Sequence, residues 1–251
     1  MLVLFRNLFA PPRDLILVVV SLWIGLWLAE KRSRWKALSS DDINNLTFYP
    51  LLSFLLAGRL LFALENWNAF SQNLGSLLSL NLELFDPLGG VVAALIVAWA
   101  YSQRRKLILW STLDALTPLF ATLAVGLGLA HLASGSAFGS VADLPWGIEL
   151  WGAIRHPSQI YEIIAAAITL GLLWFRKPVH TPGVQFLFFL TLTSGYHVFL
   201  QAFRGDSILL AGGIRLEQLV ALLILTSSLW LLNRRLSLTA GSDRNEQSAD
   251  Q

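Results

Sequence analysis

Residues 155–175 read RHPSQIYEIIAAAITLGLLWF, a short polar block followed by a long apolar run. An uninterrupted apolar run of this length predicts a helix that is buried or spans a membrane. Polar side chains next to lipid are costly, so the block 155–162 requires either hydrogen-bonding partners or a function. The rest of the sequence decides between a buried helix and a membrane span.

The composition of the chain favours a membrane span. Its 251 residues are 55% hydrophobic and only 14% charged, whereas soluble domains carry about 25% charged residues. The mean hydropathy is +0.60. The chain has no cysteine, which excludes disulfides and thiol nucleophiles. Its basic residues form short clusters and no continuous stripe, so no nucleic-acid partner is expected.

The apolar runs predict an all-α polytopic membrane protein with a single domain over residues 1–236. Its seven spans are placed at about 14–30, 46–65, 88–103, 112–133, 158–175, 183–203 and 214–233. The segment 66–87 is amphipathic and is expected along the membrane interface. The polar tail 237–251 is expected to be a disordered cytoplasmic segment.

Basic clusters follow the first, third, fifth and seventh spans, at 31–36, 104–106, 176–177 and 234–235. Lysine and arginine accumulate on the cytoplasmic side of membrane proteins, so the N-terminus is predicted outside and the C-terminus in the cytoplasm. The chemically varied polar residues then lie at the outer ends of spans four to seven. A functional site is therefore expected to open at the outer face.

Arg59 is the first candidate, because it lies inside the second span. An arginine within the membrane is functional by default, since even low estimates of its cost are about 2.5–3.5 kcal/mol. Arg59 either forms a structural pair with Glu65 or Glu162, or it binds an anionic headgroup through the forked contacts that arginine makes with phosphate.

The block 155–162 is the second candidate. Pro157 suits a helix start, with Ser158 as a capping residue. Gln159 and Glu162 are three residues apart and share a helix face. One interpretation is a polar lock between helices, but a membrane carboxylate such as Glu162 usually needs a partner such as an arginine.

Two further groups stand at the same outer ends. Arg204, Asp206, Arg215 and Glu217 are either solvated charges that balance one another, or the two arginines form a headgroup clamp. His131 and His197 are more often hydrogen-bonded core residues than ligands. No HxxxH or HExxH spacing supports a metal site from the histidines and Glu162, so no metal and no cofactor is expected.

Six motifs occur in an order that resembles one known family: GRLLFALENW (58–67), LGG (88–90), DLPWGI (143–148), RHPSQIYE (155–162), FRGD (203–206) and EQL (217–219). The chain resembles the prolipoprotein diacylglyceryl transferases. This resemblance implies seven spans in the orientation predicted above. It also implies transfer of diacylglyceryl from phosphatidylglycerol, or another anionic phospholipid, to the lipobox cysteine thiol of a prolipoprotein signal peptide. The reaction would take place at the outer face of the bacterial cytoplasmic (inner) membrane.

The resemblance and the residues together define a predicted site. The predicted catalytic residues are His156, Tyr161, Glu162 and His197. The predicted lipid-binding residues are Arg59, Gln159, Arg204, Asp206 and His131.

The sequence departs from the family at several polar positions. No histidine precedes Gly89 in LELFDPLGG, and Gly128 or its neighbour stands where the family has an arginine. His197 and Gln201 replace an arginine and a glutamate. His131 or His197 is expected to substitute as base or phosphate donor. The alternative is a degenerate homologue that binds an anionic lipid or a lipoprotein precursor without chemistry, or transfers to another acceptor.

Overall fold

A computed structural model describes residues 13–33, 38–71, 75, 85–176, 181–210 and 213–249, without the side chains of Ser33 and of residues 238–249. Within these ranges the chain forms eight α-helices and one β-hairpin, and the fold is all-α in character. The elements are α1 (Arg13–Ser33), α2 (Ser40–Glu65), α3 (Trp67–Phe70), α4 (Pro87–Arg104), α5 (Leu109–Ser134), β1 (Ile148–Leu150), β2 (Ala153–Arg155), α6 (Ser158–Phe175), α7 (Val184–Leu200), the 3₁₀ helix Gln201–Phe203 and α8 (Leu216–Ala249).

Each of the seven predicted spans coincides with a helix. Among the described residues, five helices are long and apolar enough to cross a membrane, namely α2, α5, α6, α7 with its 3₁₀ extension, and α8. Helix α1 carries Asp14 in its first turn and Lys31 and Arg32 in its last, and α4 has only 18 residues and ends in a polar turn. The chain is a multi-pass membrane protein, and its seven-span count and orientation stay predictions.

Most apolar side chains of these helices face outward. Only 11% of the apolar window of α8 and 22% of that of α2 are buried, against 56% for α5. A soluble protein would not expose such continuous apolar surfaces. We therefore expect α2 and α8 to be surrounded mainly by lipid. More than half of the apolar window of α5 is buried by protein.

The chain divides into two compact units, and each is described by itself. The first comprises Met1–Arg32 with Leu113–Gln251, and the second comprises Ser33–Thr112. The first therefore contains α1, most of α5, the β-hairpin and α6 to α8. The second contains α2, α3 and α4.

In the first unit, an arginine ties the end of α1 to the end of α6. The Arg32 guanidinium donates to the main-chain oxygens of Leu173 at 2.7 Å and Trp174 at 2.8 Å. These are carbonyls that the end of a helix leaves without an intrahelical partner. Nearby, Ala121, Leu173 and Phe189 form a buried apolar cluster. The ends of α1 and α6 thus lie on the same side, as the charge pattern predicts.

A buried carboxylate joins α5 to the start of α7. Asp114 is 2% exposed, and its carboxylate accepts from the main-chain N–H of Gly183 at 2.8 Å and of Phe186 at 2.9 Å. Both donors belong to the first turn of α7 and its cap, where N–H groups lack intrahelical partners. Asp114 therefore takes the place of a local capping residue, because Gly183 has no side chain to cap with.

Glycines bring helices of the first unit into close contact. A Cβ on Gly126 would collide with the hydroxyl of Ser21 in α1, and one on Gly128 would lie 2.8 Å from Ile163 Cγ1 in α6. Small residues let helix backbones approach in membranes, where packing replaces the hydrophobic effect. Gly126 and Gly128 therefore allow α5 to pack closely against α1 and α6.

In the second unit, α2 packs against α4 through another glycine. A Cβ on Gly90 would lie 2.9 Å from the carbonyl oxygen of Phe54. Helix α4 is capped by Asp86, whose carboxylate accepts from the N–H groups of Leu88 and Gly89 at 3.0 and 3.1 Å. Pro87 at the first helical position is compatible with this cap, because it needs no hydrogen-bonding partner there.

Helix α8 extends beyond the predicted seventh span. The backbone of α8 continues to Ala249, so it is helical over 237–249, where a disordered tail is predicted. Propagation of an existing helix costs little per residue, which accounts for this difference. Residues 72–74 and 76–84 of the predicted amphipathic segment 66–87 lie outside the described ranges. Residues 1–12, 34–37 and 177–180 also lie outside them, and the last two ranges include parts of the predicted basic clusters.

Candidate functional site

The loop 134–157 is folded into a β-hairpin that precedes α6. Strands β1 and β2 pair antiparallel, with Ile148 opposite Arg155. The turn places Trp151 at φ 56° and Gly152 at φ 73°, a pair of positive φ values typical of type I′ hairpin turns. The indole of Trp151 donates to the Gly135 carbonyl at 3.0 Å. The hairpin thus contacts the chain directly after the end of α5.

The same loop is joined to the FRGD motif. Gly139 forms an antiparallel bridge with Arg204, and the N–H of Gly205 donates to the Phe138 carbonyl at 2.8 Å. A Cβ on Gly205 would lie 2.7 Å from the Gly139 carbonyl oxygen. The glycine of FRGD is therefore required for this close backbone approach, which fixes the position of Arg204.

His156 is packed among aromatic rings at the start of α6. Its ring centroid lies 5.0 Å from that of Phe203 and 6.2 Å from that of Tyr161. His156 Nδ1 is buried without a partner in the described part of the chain. The hydroxyl of Ser158 does not cap the helix as predicted, because Ser158 is the first helical residue and Pro157 holds the cap position. The Ser158 hydroxyl donates instead to the Ala137 carbonyl at 2.7 Å.

Gln159 lies behind the site and not on its surface. Its side chain is fully buried, and Gln159 Nε2 donates to the Ser136 carbonyl at 2.9 Å. This contact fits the interpretation as a polar lock, which fixes the loop against α6. Tyr161 has a similar connection, because its hydroxyl accepts from the indole N–H of Trp146 at 2.9 Å.

Glu162 lies beside a histidine of the neighbouring helix. Glu162 Oε2 is 3.3 Å from His131 Nδ1, and the two side chains are 15% and 32% exposed. The sequence predicts an arginine as the partner of this carboxylate, and within the first unit the structure supplies an imidazole. An imidazole held on one nitrogen keeps the other available for proton transfer.

Two further cationic or titratable groups lie within electrostatic range of Glu162. These are His197, at the end of α7, and Arg204. The His197 ring packs on Tyr196 with 4.6 Å between centroids. The C-terminal ends of α5 and α7 and the N-terminal end of α6 therefore bring His131, Glu162, His197 and Arg204 close to one another.

Arg204 forms a forked ion pair with Asp206. Arg204 Nε and Nη2 donate to the two carboxylate oxygens at 2.9 Å each. Burial lowers the pKa of the Arg204 guanidinium, but the hydrogen bonds to Asp206 and the nearby negative charges together outweigh burial, so its pKa is raised and it stays charged. Arg215 donates to the Arg204 carbonyl at 2.9 Å. In this structure Arg215 therefore supports the turn, while Arg204 and Asp206 balance each other.

An apolar groove between α7 and α8 ends at this cluster. Its volume is about 360 Å³, and its polar lining consists mainly of His197, Gln201 and Glu217. The remaining walls include Leu190, Val220 and Ile224. A groove with one polar end and apolar walls has the character of a site for an amphiphile.

Arg59 belongs to the second unit. Its guanidinium lies 5.9 Å from the ring centroid of Phe70, a distance at which a cation and an aromatic ring attract each other. Its predicted role in binding a headgroup stays a prediction. Within the described ranges, no group of three His, Cys, Asp or Glu side chains could hold a metal ion.

The sequence interpretation missed the partners that orient the site. Trp146 and Phe203 contact Tyr161 or His156, and the tryptophan of the DLPWGI motif was a usable signal for the first. Phe203 gave no comparable signal, because a phenylalanine in an apolar chain is common. Its position next to Arg204 in FRGD is informative only once the fold is known.

Comparisons with known proteins cover nearly the whole chain. A family model described as "Prolipoprotein diacylglyceryl transferase" matches residues 15–234. Three proteins named phosphatidylglycerol–prolipoprotein diacylglyceryl transferase are similar to the chain. That of Clostridioides difficile is 26% identical, over 83% of this chain and 84% of its own. That of Thermosynechococcus vestitus is 28% identical, over 87% and 86%. That of Geobacter sulfurreducens is 30% identical, over 75% and 76%.

Proposed function

Because the chain belongs to the prolipoprotein diacylglyceryl transferase family, we propose that it transfers diacylglyceryl from phosphatidylglycerol to a lipobox cysteine thiol. The reaction takes place at the outer face of the bacterial inner membrane, which the protein spans seven times. The observation that carries this proposal is the pair His131–Glu162, 3.3 Å apart, with His197 and Arg204 within electrostatic range.

The reaction needs a group that takes a proton. A cysteine thiol has a pKa of about 8.5, so most of it is protonated at neutral pH, while the thiolate is the nucleophile. We assign the proton to His131 Nε2, because Glu162 faces Nδ1 and stabilises the imidazolium that forms. The sulfur then attacks the glyceryl carbon that bears the phosphate, the carbon–oxygen bond breaks, and glycerol phosphate leaves as a thioether forms.

The leaving glycerol phosphate needs positive charge. Arg204 keeps its charge, and a guanidinium matches a phosphate through two parallel hydrogen bonds. Phosphate binding competes with Asp206 for these donors. His197 lies where the family has an arginine and supplies a second donor. Such groups accelerate a reaction when they are positioned before the charge develops.

The acyl chains of the donor lipid need an apolar path to this cluster. The groove of about 360 Å³ between α7 and α8 supplies one, since it ends at His197. His156, Gln159 and Tyr161 take positioning roles, because their contacts fix the hairpin and the first turn of α6. Arg59 and Asp206 are assigned to lipid binding, as the sequence predicts.

A second candidate function is lipid or precursor binding without chemistry, or transfer to another acceptor. One observation favours it. Gly128, which stands at or beside the position of a family arginine, packs so closely on Ile163 that a Cβ would lie 2.8 Å from Ile163 Cγ1. A larger side chain at this position would require Ile163 to move, and Gly128 itself carries no charge. A second gene copy with the family residues intact would favour this alternative.

The test is complementation in a bacterium whose own diacylglyceryl transferase can be switched off. A reporter lipoprotein is purified after depletion, and its mass is measured. We expect the parent chain to add one diacylglyceryl unit. Glu162→Gln, His131→Ala and Arg204→Ala are expected to abolish or strongly reduce that addition, because each removes a charge or base from the cluster.

The matched control is Glu149→Gln, which makes the same change at an exposed position of β1. It is expected to leave the mass shift intact. If the parent protein is inserted in the membrane and gives no mass shift, the transferase proposal is wrong and the binding alternative gains support. If the parent is active and His131→Ala stays fully active, the assignment of the base is wrong.

A further inference from the structure

A second apolar groove lies within the unit Ser33–Thr112, between α2 and α4. Its volume is about 760 Å³, roughly twice that of the groove at the transfer site. The α2 wall includes Leu52, Leu56 and Leu60, and the α4 wall includes Val97 and Ala100. The side chains of Leu56 and Leu60 are 56% and 55% exposed. Large aliphatic side chains therefore line a groove that lipid can enter.

The length of this groove matches one leaflet of a membrane. Its α2 wall runs from Tyr49 to Leu60, which is about 16 Å at a helical rise of about 1.5 Å per residue. The hydrocarbon core of a bilayer is about 30 Å thick, so the groove spans about half of it. A single acyl chain of one leaflet thus fits along it.

Arginines stand at one end of the groove. Arg104 and Arg105 belong to its lining, and both are exposed. Arg105 Nε donates to Asp42 at 2.9 Å, and the Tyr101 hydroxyl donates to the same carboxylate oxygen at 3.0 Å. This network fixes Arg105 at the end of the groove. The hydrogen bond to Asp42 raises the pKa of the Arg105 guanidinium.

A third cation follows in an uncommon backbone conformation. Lys106 has φ 52°, and its N–H donates to the Gln103 carbonyl while that of Leu107 donates to the Ser102 carbonyl. These two bonds form a Schellman motif, in which glycine is the usual residue at the left-handed position. A lysine there is strained, so the sequence keeps a cation where glycine would be more favourable.

Carboxylates offset part of this charge. Asp41 and Asp42 lie in the first turn of α2, so among the described residues three cations and two carboxylates leave one positive charge at this end. Asp42 is occupied by Arg105 and Tyr101. Arg104 has no hydrogen bond or ion pair with any described residue, and its guanidinium is therefore open to a ligand.

We propose that this groove binds an anionic phospholipid of the cytoplasmic leaflet. Its acyl chain lies along Leu52, Leu56 and Leu60, and its phosphate contacts Arg104 and Lys106. Basic residues at the cytoplasmic ends of spans attract anionic headgroups, at about a fivefold gain in binding for each cation near the surface. A signal peptide fits less well, because its n-region is positively charged and the arginines repel it.

This groove shares no residues with the proposed transfer site, and it binds lipid without reacting with it. All its lining residues belong to the second unit, and none is proposed to take part in the reaction. The lipid is held and not consumed. The proposal therefore stands or falls separately from the transferase proposal.

The experiment uses the full-length protein in vesicles with trace amounts of a photoactivatable phospholipid. One probe is phosphatidylglycerol with a diazirine in its acyl chain, and the other is phosphatidylcholine with the same acyl chain. After irradiation, labelled residues are mapped by peptide mass spectrometry. We expect residues 49–60 and 97–105 to be labelled at least about fivefold more by the anionic probe than by the neutral one.

One kind of variant tests the cationic end of the groove, and another kind tests its apolar walls. Arg104→Gln with Lys106→Gln is expected to lower the ratio of anionic to neutral labelling at the groove to near one. Arg176→Gln removes one cation from the end of another helix and is expected to leave the ratio unchanged. Ala57→Leu narrows the groove without changing charge, and we expect it to reduce labelling of its walls by both probes.

The proposal is wrong if the parent protein shows equal labelling by the two probes, or if the double variant keeps the parent ratio. It is also wrong if a lipobox peptide displaces the anionic probe from residues 49–60, which would make the groove a peptide site. Each variant is first shown to be folded by its transfer activity or, if the parent is inactive, by its unfolding midpoint in detergent.

Discussion

Two carboxylates near opposite ends of the first unit have contrasting surroundings. Asp114 is 2% exposed and accepts from two main-chain N–H groups at 2.8 and 2.9 Å. The Glu162 side chain is 15% exposed, and the one hydrogen-bonding partner it has among the described residues is an imidazole at 3.3 Å. A carboxylate that holds a fold is saturated by fixed donors, whereas Glu162 is left to interact with a group that can exchange a proton.

The helix ends explain this contrast. The N–H groups at the start of α7 lack intrahelical partners, and they attract a negative charge through the helix dipole. Asp114 satisfies them permanently. Glu162 is the fifth residue of α6, and its hydrogen-bonding partner among the described residues is the side chain of His131. The first arrangement stabilises the protein, and the second suits the proton transfer that we propose.

The largest expected effect is the loss of stability in Asp114→Ala. The substitution leaves two buried N–H groups without an acceptor, at about 2 kcal/mol each, so the free energy of unfolding falls by about 4 kcal/mol. Unfolding in mixed detergent micelles, followed by tryptophan fluorescence, measures it. Asp143→Ala, at an exposed position, is the control and is expected within about 0.5 kcal/mol of the parent. A loss below about 1 kcal/mol would contradict the structural role of Asp114.

The next effect concerns the rate of transfer and not stability. His131→Gln and Glu162→Gln are each expected to slow transfer to a lipobox peptide by about 100-fold, which corresponds to about 2.7 kcal/mol. The double variant is expected to be no slower than either single variant, because the two residues act as one unit. Losses that multiply to about 10⁴-fold would show that the residues act independently. The free energy of unfolding of each single variant is expected to stay within about 1 kcal/mol of that of the parent.

A smaller effect is expected where the FRGD turn contacts the loop. Gly205→Ala adds a Cβ that would lie 2.7 Å from the Gly139 carbonyl oxygen, and such overpacking costs about 2 kcal/mol. Because this contact positions Arg204, we also expect a higher KM for phosphatidylglycerol. Gly171→Ala is the control, since no atom lies within 4 Å of its added Cβ. An unchanged KM in Gly205→Ala would separate the turn from lipid binding.

The smallest effect is expected in the hairpin. Trp146→Phe removes the indole donor to the Tyr161 hydroxyl, which lies 2.9 Å away, at a cost of about 1 kcal/mol. Hydrogen exchange of residues 148–155 measures the local opening, which we expect to become about fivefold more frequent. Trp99→Phe, which changes a 66% exposed tryptophan, should not alter exchange there. Equal exchange in Trp146→Phe and the parent would show that this bond does not hold the hairpin.

Several features were predictable because they depend on local sequence. Long apolar runs have to be helical in lipid, since their main-chain groups find no water, and each predicted span coincides with a helix. The close packing of Gly126 and Gly128 follows from their size alone. The gathering of varied polar residues at one set of helix ends follows from the alternation of spans, and the first unit brings four of them together.

Other features depend on residues far apart in the chain. Glu162 and His131 are separated by 31 positions, and a histidine cannot be distinguished from an arginine as partner before the helices are packed. The same holds for Gln159, which shares a helix face with Glu162 in sequence but is fully buried against the loop. Ser158 was a plausible cap by its position, yet it is the first residue of α6, and its hydroxyl donates to the Ala137 carbonyl.

The sequence by itself determined the membrane class of this protein, the positions of its helices and the family to which it belongs. These depend on composition, on hydrophobic runs and on short motifs, which are properties of neighbouring residues. Tertiary structure alone decided which carboxylate is saturated, which is paired with an imidazole, and where the apolar grooves lie. The physical reason is that hydrogen bonds and grooves form between helices, whose packing brings together side chains that no local pattern connects.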